Sequence, residues 1–116
     1  MTKPFPRLKK MCLALDGVKT EKKHGRPCFT ANGKTFLMFM DNHHGDGRLA
    51  IWCKAPPGDQ GDLVDLDPVR FFVPPYVGPS GWVGVRLDIT PVDWSQVKAI
   101  VVEGHRMATA KKKRKK

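Results

Sequence analysis

Cations and aromatic rings are interleaved along the middle of this 116-residue chain, and they are its clearest chemical signal. Lysine and arginine pair with phosphate groups, while aromatic faces stack on nucleobases or support a guanidinium group. Together they predict a surface that binds nucleic acid, mainly through its phosphates. The simpler interpretation is that the tryptophans cover a sheet face and the cations flank them. The cations of this set are Lys54, Arg70 and Arg86, and its rings are Trp52, Tyr76 and Trp82.

Nucleophilic catalysis needs a serine, cysteine or threonine beside a general base, and the sequence does not indicate such a pair. Ser80 and Ser95 both lie outside a Gly-x-Ser-x-Gly motif. Cys28 with His24 is the pair that would make the chain an enzyme, although a half-buried structural cysteine explains Cys28 more simply. Residues 28–35 end like a phosphate-binding loop but carry cysteine where that loop needs glycine, so a hairpin turn explains them better. We therefore predict a protein that is not an enzyme and needs no cofactor.

A metal site is not predicted either. His24 and Cys28 have the spacing of half a structural zinc site, but no second pair repeats it, and His43 and His44 fall in a polar loop. The three cysteines are an odd number without a Cys-x-x-Cys motif, which favours a reduced, cytoplasmic protein. No apolar run is long enough for a transmembrane helix or a secretory signal, so we expect no membrane association.

The formal net charge of +10 is unevenly distributed along the chain. The last six residues carry +6, and the other 110 residues hold 15 basic and 11 acidic residues, a net charge of +4. Like charges repel one another and bury nothing, so we expect a disordered tail that adds non-specific affinity for polyanions. A solubilising tail without a partner is the alternative. The charged tail residues are Lys111, Lys112, Lys113, Arg114, Lys115 and Lys116.

Hydrophobic periodicity, glycine and proline predict the elements that must position these residues. Asn32-Gly33 favours a tight hairpin turn between two strands, and Asp93 is placed to cap the last helix. Residues 67–72 are interpreted as a turn, and residues 73–81 as a stiff proline-rich loop. The predicted helices are 6–15, 59–66 and one beginning at Trp94, and the predicted strands are 18–23, 27–31, 34–41, 48–54 and 82–88.

A run of strands bracketed by helices predicts an α+β fold with a single antiparallel sheet and helices packed on one face, a two-layer sandwich. Residues 1–108 would form the domain and residues 109–116 the tail. Side-chain alternation puts Leu49, Ile51 and Cys53 on the helix side of their strand. It leaves the other sheet face partly open, and this face would carry Trp52, Lys54, Trp82 and Arg86.

Several segments resemble the MmcQ/YjbR-like family. They are Glu21-Lys22, residues 25–29, residues 54–58, residues 70–79 and residues 81–87, and the similarity extends over about residues 5–108. The resemblance implies a compact α+β domain with an antiparallel sheet, similar to the CyaY-like frataxin and secretion-chaperone arrangements. It also implies DNA binding by a double-wing surface formed by hairpins. The family label draws attention to Lys54, Arg70, Tyr76, Trp82 and Arg86, while His24 replaces an aromatic residue of the relatives and the basic tail is longer than theirs.

Two functional hypotheses follow. The first is a nucleic-acid-binding protein, with DNA the favoured partner, whose affinity falls steeply with salt. The second is a protein- or small-ligand-binding module, in which residues 73–81 and Trp82 form an apolar platform beside a concave pocket near Tyr76. The sequence does not determine the oligomeric state, and we favour a monomer.

Overall fold

The computed structural model describes residues 4–42, 45 and 47–109. The predicted tail from residue 110 onward, like His43 and His44, lies outside the described residues. Within these residues the fold consists of three α-helices and six strands, with a short 3-10 helix at Gly78–Ser80, and α3 extends one residue beyond the predicted domain boundary at 108. In chain order these are α1 (Pro4–Leu13), β1 (Val18–Lys23), β2 (Arg26–Ala31), β3 (Lys34–Asp41), β4 (Leu49–Cys53), α2 (Asp59–Leu66), β5 (Phe71–Phe72), β6 (Val83–Arg86) and α3 (Trp94–Thr109).

The six strands form one sheet in the order β1-β2-β3-β4-β6-β5, and every neighbouring pair is antiparallel. The main hydrophobic core lies between this sheet and the helices. Leu8 of α1, Val101 of α3 and the partly buried Leu63 of α2 all pack into it, together with Ile51 and Val85 from the sheet. The predicted α+β sheet with helices on one face is therefore confirmed. In the described part of the chain, no helix is both long and apolar enough to cross a membrane.

Local signals placed the β2–β3 hairpin and the start of α3 correctly. Asn32 and Gly33 have φ angles of 58° and 75°, the two left-handed residues that a tight hairpin turn requires. At the start of α3, the Asp93 carboxylate accepts a hydrogen bond from the backbone N–H of Gln96 at 3.1 Å. This contact satisfies one of the N–H groups that a helix leaves unpaired at its first turn.

Two elements differ most from the sequence prediction, while β2, β4 and β6 differ from it by one or two residues at their ends. Helix α1 begins two residues earlier than predicted and ends at Leu13. After it, a hydrogen bond from the Leu15 N–H to the Cys12 carbonyl spans three residues and not four, as in the 3-10 turns that often end α-helices. Proline is tolerated in the first helical turn because the N–H that it lacks would be unpaired there. The second difference is β5, whose two residues were interpreted as part of a turn. A strand this short has too few residues to show alternation, and it is defined by its pairing with Val85 and Gly84 of β6.

Helix α3 lies unusually close to β4 at Gly104. A Cβ atom built on Gly104 would lie 2.7 Å from the Cys53 sulfur and 2.8 Å from the Lys54 carbonyl oxygen. Both distances are too short for carbon, and the carbonyl belongs to the backbone and cannot rotate away. Gly104 therefore sets the distance between the helix layer and the sheet.

We expect Gly104→Ala to destabilise the protein by about 1–3 kcal/mol, because the added methyl group overpacks this contact. Gly61→Ala is the matched control, since Gly61 also lies in a helix but has nothing within 4 Å of its Cβ position. Helix propensity alone makes the control neutral or more stable by about 1 kcal/mol. Urea unfolding of both variants measures the difference, and equal stabilities would show that the close contact is absent.

Candidate functional site

The second sheet face is not open at its centre, and the prediction of exposed tryptophans there is wrong. Trp52 is 3% exposed and Trp82 is 7% exposed. They pack with Met40 in a small second cluster, to which Met38, Phe72 and Val77 also contribute. Val77 belongs to residues 73–81, called the proline loop below. The loop supplies the cover that alternation along a strand could not reveal, because a loop that returns over its own sheet leaves no periodic signal.

The proline loop is held in place by a side chain of α2. The Gln60 side-chain amide donates hydrogen bonds to the carbonyl oxygens of Gly78 and Trp82, at 2.9 and 2.6 Å. Pro74 of the loop is fully buried. These anchors fix the loop over one half of the second sheet face and leave the other half, above β2 and β3, uncovered by it.

Two of the predicted phosphate-binding cations are engaged with carboxylates. The Arg86 guanidinium donates to both carboxylate oxygens of Asp88, at 3.0 and 3.1 Å. These hydrogen bonds hold the pKa of Asp88 below its ordinary value, and the Leu49 N–H adds to the effect. The Arg70 guanidinium donates to the Ile89 carbonyl at 3.1 Å and lies 3.5 Å from the Asp67 carboxylate. Both arginines thus tie neighbouring segments to the sheet.

One cation of the predicted set contacts a ring of that set. The Lys54 ammonium lies 5.9 Å from the ring centroid of Trp82, within the range of a cation–π contact. A second contact of this kind was not predicted: the Arg48 guanidinium lies 4.1 Å from the centre of the Phe72 ring. The cations near the second cluster therefore flank its rings, as the simpler interpretation of the sequence expected.

A cleft of about 590 Å³ occupies the half of the second face that the proline loop leaves uncovered. Its floor is a row across three strands, because Cys28 pairs with Met38 and Met38 pairs with Trp52. Met40, two residues along β3, lies on the same face of the sheet and completes the floor. Tyr76 and Val77 of the proline loop form one wall, and Lys23, His24 and Arg26 form the opposite rim.

The rim is built by the tight turn between β1 and β2. His24 and Gly25 have φ angles of 53° and 77°, so the chain reverses in two residues and pairs Lys23 with Arg26 across the hairpin. The Lys23 ammonium donates to the Thr35 hydroxyl at 3.0 Å and lies 3.6 Å from the Glu21 carboxylate. The rim is therefore polar and largely cationic above an apolar floor.

Cys28 is a buried thiol with a raised pKa. Burial is the main cause, and the nearby Lys23 acts in the opposite direction. Its Sγ donates to the Arg26 carbonyl at 3.6 Å. Burial thus disfavours the thiolate form of Cys28, the form in which a cysteine acts as a nucleophile.

Of the predicted nucleic-acid-binding residues, Tyr76 lines the cleft, while Trp82 lies in the cluster beside it. Lys54, Arg70 and Arg86 are not among the lining residues, and Lys111 to Lys116 lie outside the described residues. Lys23 and Arg26 were not predicted to belong to the site. Strands at 18–23 and 27–31 around Gly25 were the available signal, because a short hairpin there brings both side chains to one edge.

Since Arg86 lowers the pKa of Asp88, this carboxylate stabilises the fold above its unfolded pKa of about 3.9, and the contribution is lost as the pH falls through the lower folded value. We expect Asp88→Asn to cost about 0.5–1 kcal/mol at neutral pH and progressively less in acid. Denaturant unfolding at neutral and acidic pH gives both quantities. Asp65→Asn, on the exposed side of α2, is the control, and a penalty for Asp88→Asn that does not change with pH would contradict the assigned ion pair.

The family model named YjbR matches residues 13–107, a range that begins at the end of α1 and includes all six strands, α2 and most of α3. A search of curated proteins found no match. The matched range contains every residue of the cleft described above. This chain belongs to the YjbR family.

Proposed function

We propose that this protein binds nucleic acid, with DNA the favoured polymer, by placing a base in the cleft while the rim contacts phosphates. The observation that supports the proposal most is the composition of the cleft: an apolar floor, an aromatic wall and a cationic rim within one space of about 590 Å³. Proteins that bind single-stranded nucleic acid combine a positive groove with aromatic rings on which bases stack. The action proposed is binding and not catalysis.

The rim offers two cations for phosphate contacts. Lys23 and Arg26 are partners across the β1–β2 hairpin. Lys19, four residues before Lys23, lies on the same face of β1 because strand side chains alternate between the two faces. All three belong to a strand pair at the edge of the sheet, where a backbone can approach from solvent. Phosphate contacts of this type position a polyanion without reading its sequence.

Tyr76 is the ring expected to stack on a base. It is 75% exposed and has a φ angle of 67°, which is uncommon for a large side chain. Two hydrogen bonds that span Tyr76 maintain this backbone conformation. The Val77 N–H donates to the Pro75 carbonyl at 2.7 Å, and the Gly78 N–H donates to the Pro74 carbonyl at 3.0 Å. The fold thus holds a large ring at the mouth of the cleft at a cost in backbone strain, as is common at binding sites.

The other predicted cations have secondary parts in this proposal. Lys54 lies beyond the proline loop, over Trp82, and could contact a longer polymer. Arg70 and Arg86 are paired with carboxylates in less exposed positions, with side-chain exposures of 18% and 28%, so we expect less from them. Lys23 also has a carboxylate neighbour, Glu21, but this pair is half exposed, and exposed ion pairs are weak and easily exchanged. The six charges at Lys111 to Lys116 would add non-specific affinity and alone give a log–log salt slope of about −5.

The cleft itself supports a second candidate function. Its apolar floor beside Tyr76 is the concave pocket that a small-ligand-binding module would need, although Trp52 and not Trp82 forms that floor. The affinity for a neutral ligand would depend little on the salt concentration, whereas the affinity for a polyanion would fall steeply with salt. Salt dependence measured at the cleft therefore separates the two candidates.

We expect the double variant Lys23→Ala/Arg26→Ala to weaken binding of a fluorescent oligonucleotide by about tenfold at low salt and to reduce the salt slope by about 2. The titrations use chains with and without residues 111–116, so that the tail does not conceal the effect. Shortening the side chains removes two phosphate contacts and leaves the apolar floor in place.

Lys9→Ala/Lys98→Ala is the matched control for that experiment. It removes the same net charge from exposed positions on α1 and α3, on the helix side of the sheet. We expect a small loss of affinity and a salt slope close to that of the parent protein, because salt screens the interaction of the bound polymer with distant charges. Equal effects of the two double variants, or no salt-sensitive binding by the chain without its tail, would refute the proposed cleft.

A further inference from the structure

We propose that the floor of the cleft is a binding site for a soft monovalent metal ion, Cu(I) or its analogue Ag(I), held by the sulfur atoms of Cys28, Met38 and Met40. Thiolates and thioethers are the ligands that select such ions. The zinc-type spacings considered in the sequence analysis count only cysteine and histidine, and therefore leave the two thioethers out. Among the described residues, His, Cys, Asp and Glu side chains form no group of three able to hold a metal ion, so the thioethers are what distinguishes this site.

The sheet register brings the sulfurs together. Cys28 and Met38 are direct partners across β2 and β3, and residues paired in this way have Cβ atoms about 4.5–5.5 Å apart. Met40 lies two residues further along β3, on the same face. Met40 and Cys28 are almost fully buried and Met38 is half-buried, and all three line the same cleft. Flexible methionine side chains can turn their sulfurs toward a common point.

Two neighbours suit a monovalent cation. Trp52 is the partner of Met38 on β4, so its indole lies in the same row, and an indole face attracts cations. His24 lines the cleft at the rim and adds an imidazole to the available donors. The site is therefore enclosed by soft or polarizable groups from four segments of the chain.

Charge favours a monovalent ion over a divalent one. The Cys28 thiol releases its proton to solvent when its sulfur binds the ion, so one positive charge replaces another and the net charge of the cleft is unchanged. A divalent ion would add one positive charge beside Lys23 and Arg26 at the rim. Repulsion by these cations thus discriminates against divalent ions of similar ligand preference.

The test is a calorimetric titration of the full chain with Ag⁺ in a buffer free of chloride and thiols, with native mass spectrometry to give the stoichiometry. We expect one strongly bound ion per chain. The double variant Met38→Leu/Met40→Leu keeps the thiol and the approximate side-chain volumes. We expect it to bind Ag⁺ at least about tenfold more weakly, because losing two direct ligands costs no less than losing an outer-shell group, for which the loss is about 10–100-fold.

Met11→Leu/Met107→Leu is the matched control, since neither methionine lines the cleft, and we expect it to keep the parent affinity. Cys28→Ser should abolish strong binding, although the buried thiols of Cys12 and Cys53 remain. Circular dichroism verifies that each variant folds. If the double variant unfolds, the titration is repeated with the single variant Met38→Leu, whose substitution is at the half-buried position. If the variants without these thioethers bind Ag⁺ as tightly as the parent protein, the methionines only fill space and the proposed site is wrong. The site is also refuted if the parent protein does not bind one ion per chain.

Discussion

The central strands of this sheet carry apolar side chains on both faces, so both faces require a cover. Three helices cover one face, and the close contact at Gly104 shows how tightly they do so. On the other face Val77 of the proline loop packs against the cluster of Trp52 and Trp82, and Gln60 fixes the loop to α2. Trp52 lies at the border, since it also lines the cleft. Because the loop is short, it covers half of this face, and the cleft is the half that remains. The fold and the candidate site thus share one cause.

The parts of the fold that the sequence predicted are those that depend on neighbouring residues. The Asn32-Gly33 turn and the Asp93 cap involve contacts within three residues, and both are present in the structure. The alternation in β4 and β6 correctly separated the side chains that face the helices from those that do not. The family assignment from residues 70–87 and other segments was likewise confirmed.

The parts that sequence reasoning missed depend on contacts between distant segments. Residues 36–40 form a continuous apolar run, which indicates burial on both faces but does not reveal what covers each face. Trp52 and Trp82 were therefore assigned to an open surface that the proline loop covers. Arg86 was likewise predicted to contact phosphate, because its hydrogen bonds to Asp88 are not evident from the sequence. A formal charge is weak evidence for a phosphate site where a partly buried carboxylate already binds the cation, as Asp88 binds Arg86.

Both proposals concern the same cleft, at different depths. The rim at Lys23 and Arg26 would contact phosphates, and the sulfur atoms of the floor would hold a soft cation. The most direct measurement of the central claim is a backbone amide NMR titration of the chain lacking residues 111–116 with a short single-stranded oligonucleotide. If the cleft binds the oligonucleotide, we expect the shifts to concentrate at residues 23–28, 38–40 and 76–77, on one side of the sheet. Shifts confined to the exposed faces of α1 and α3, or no shifts, would contradict it.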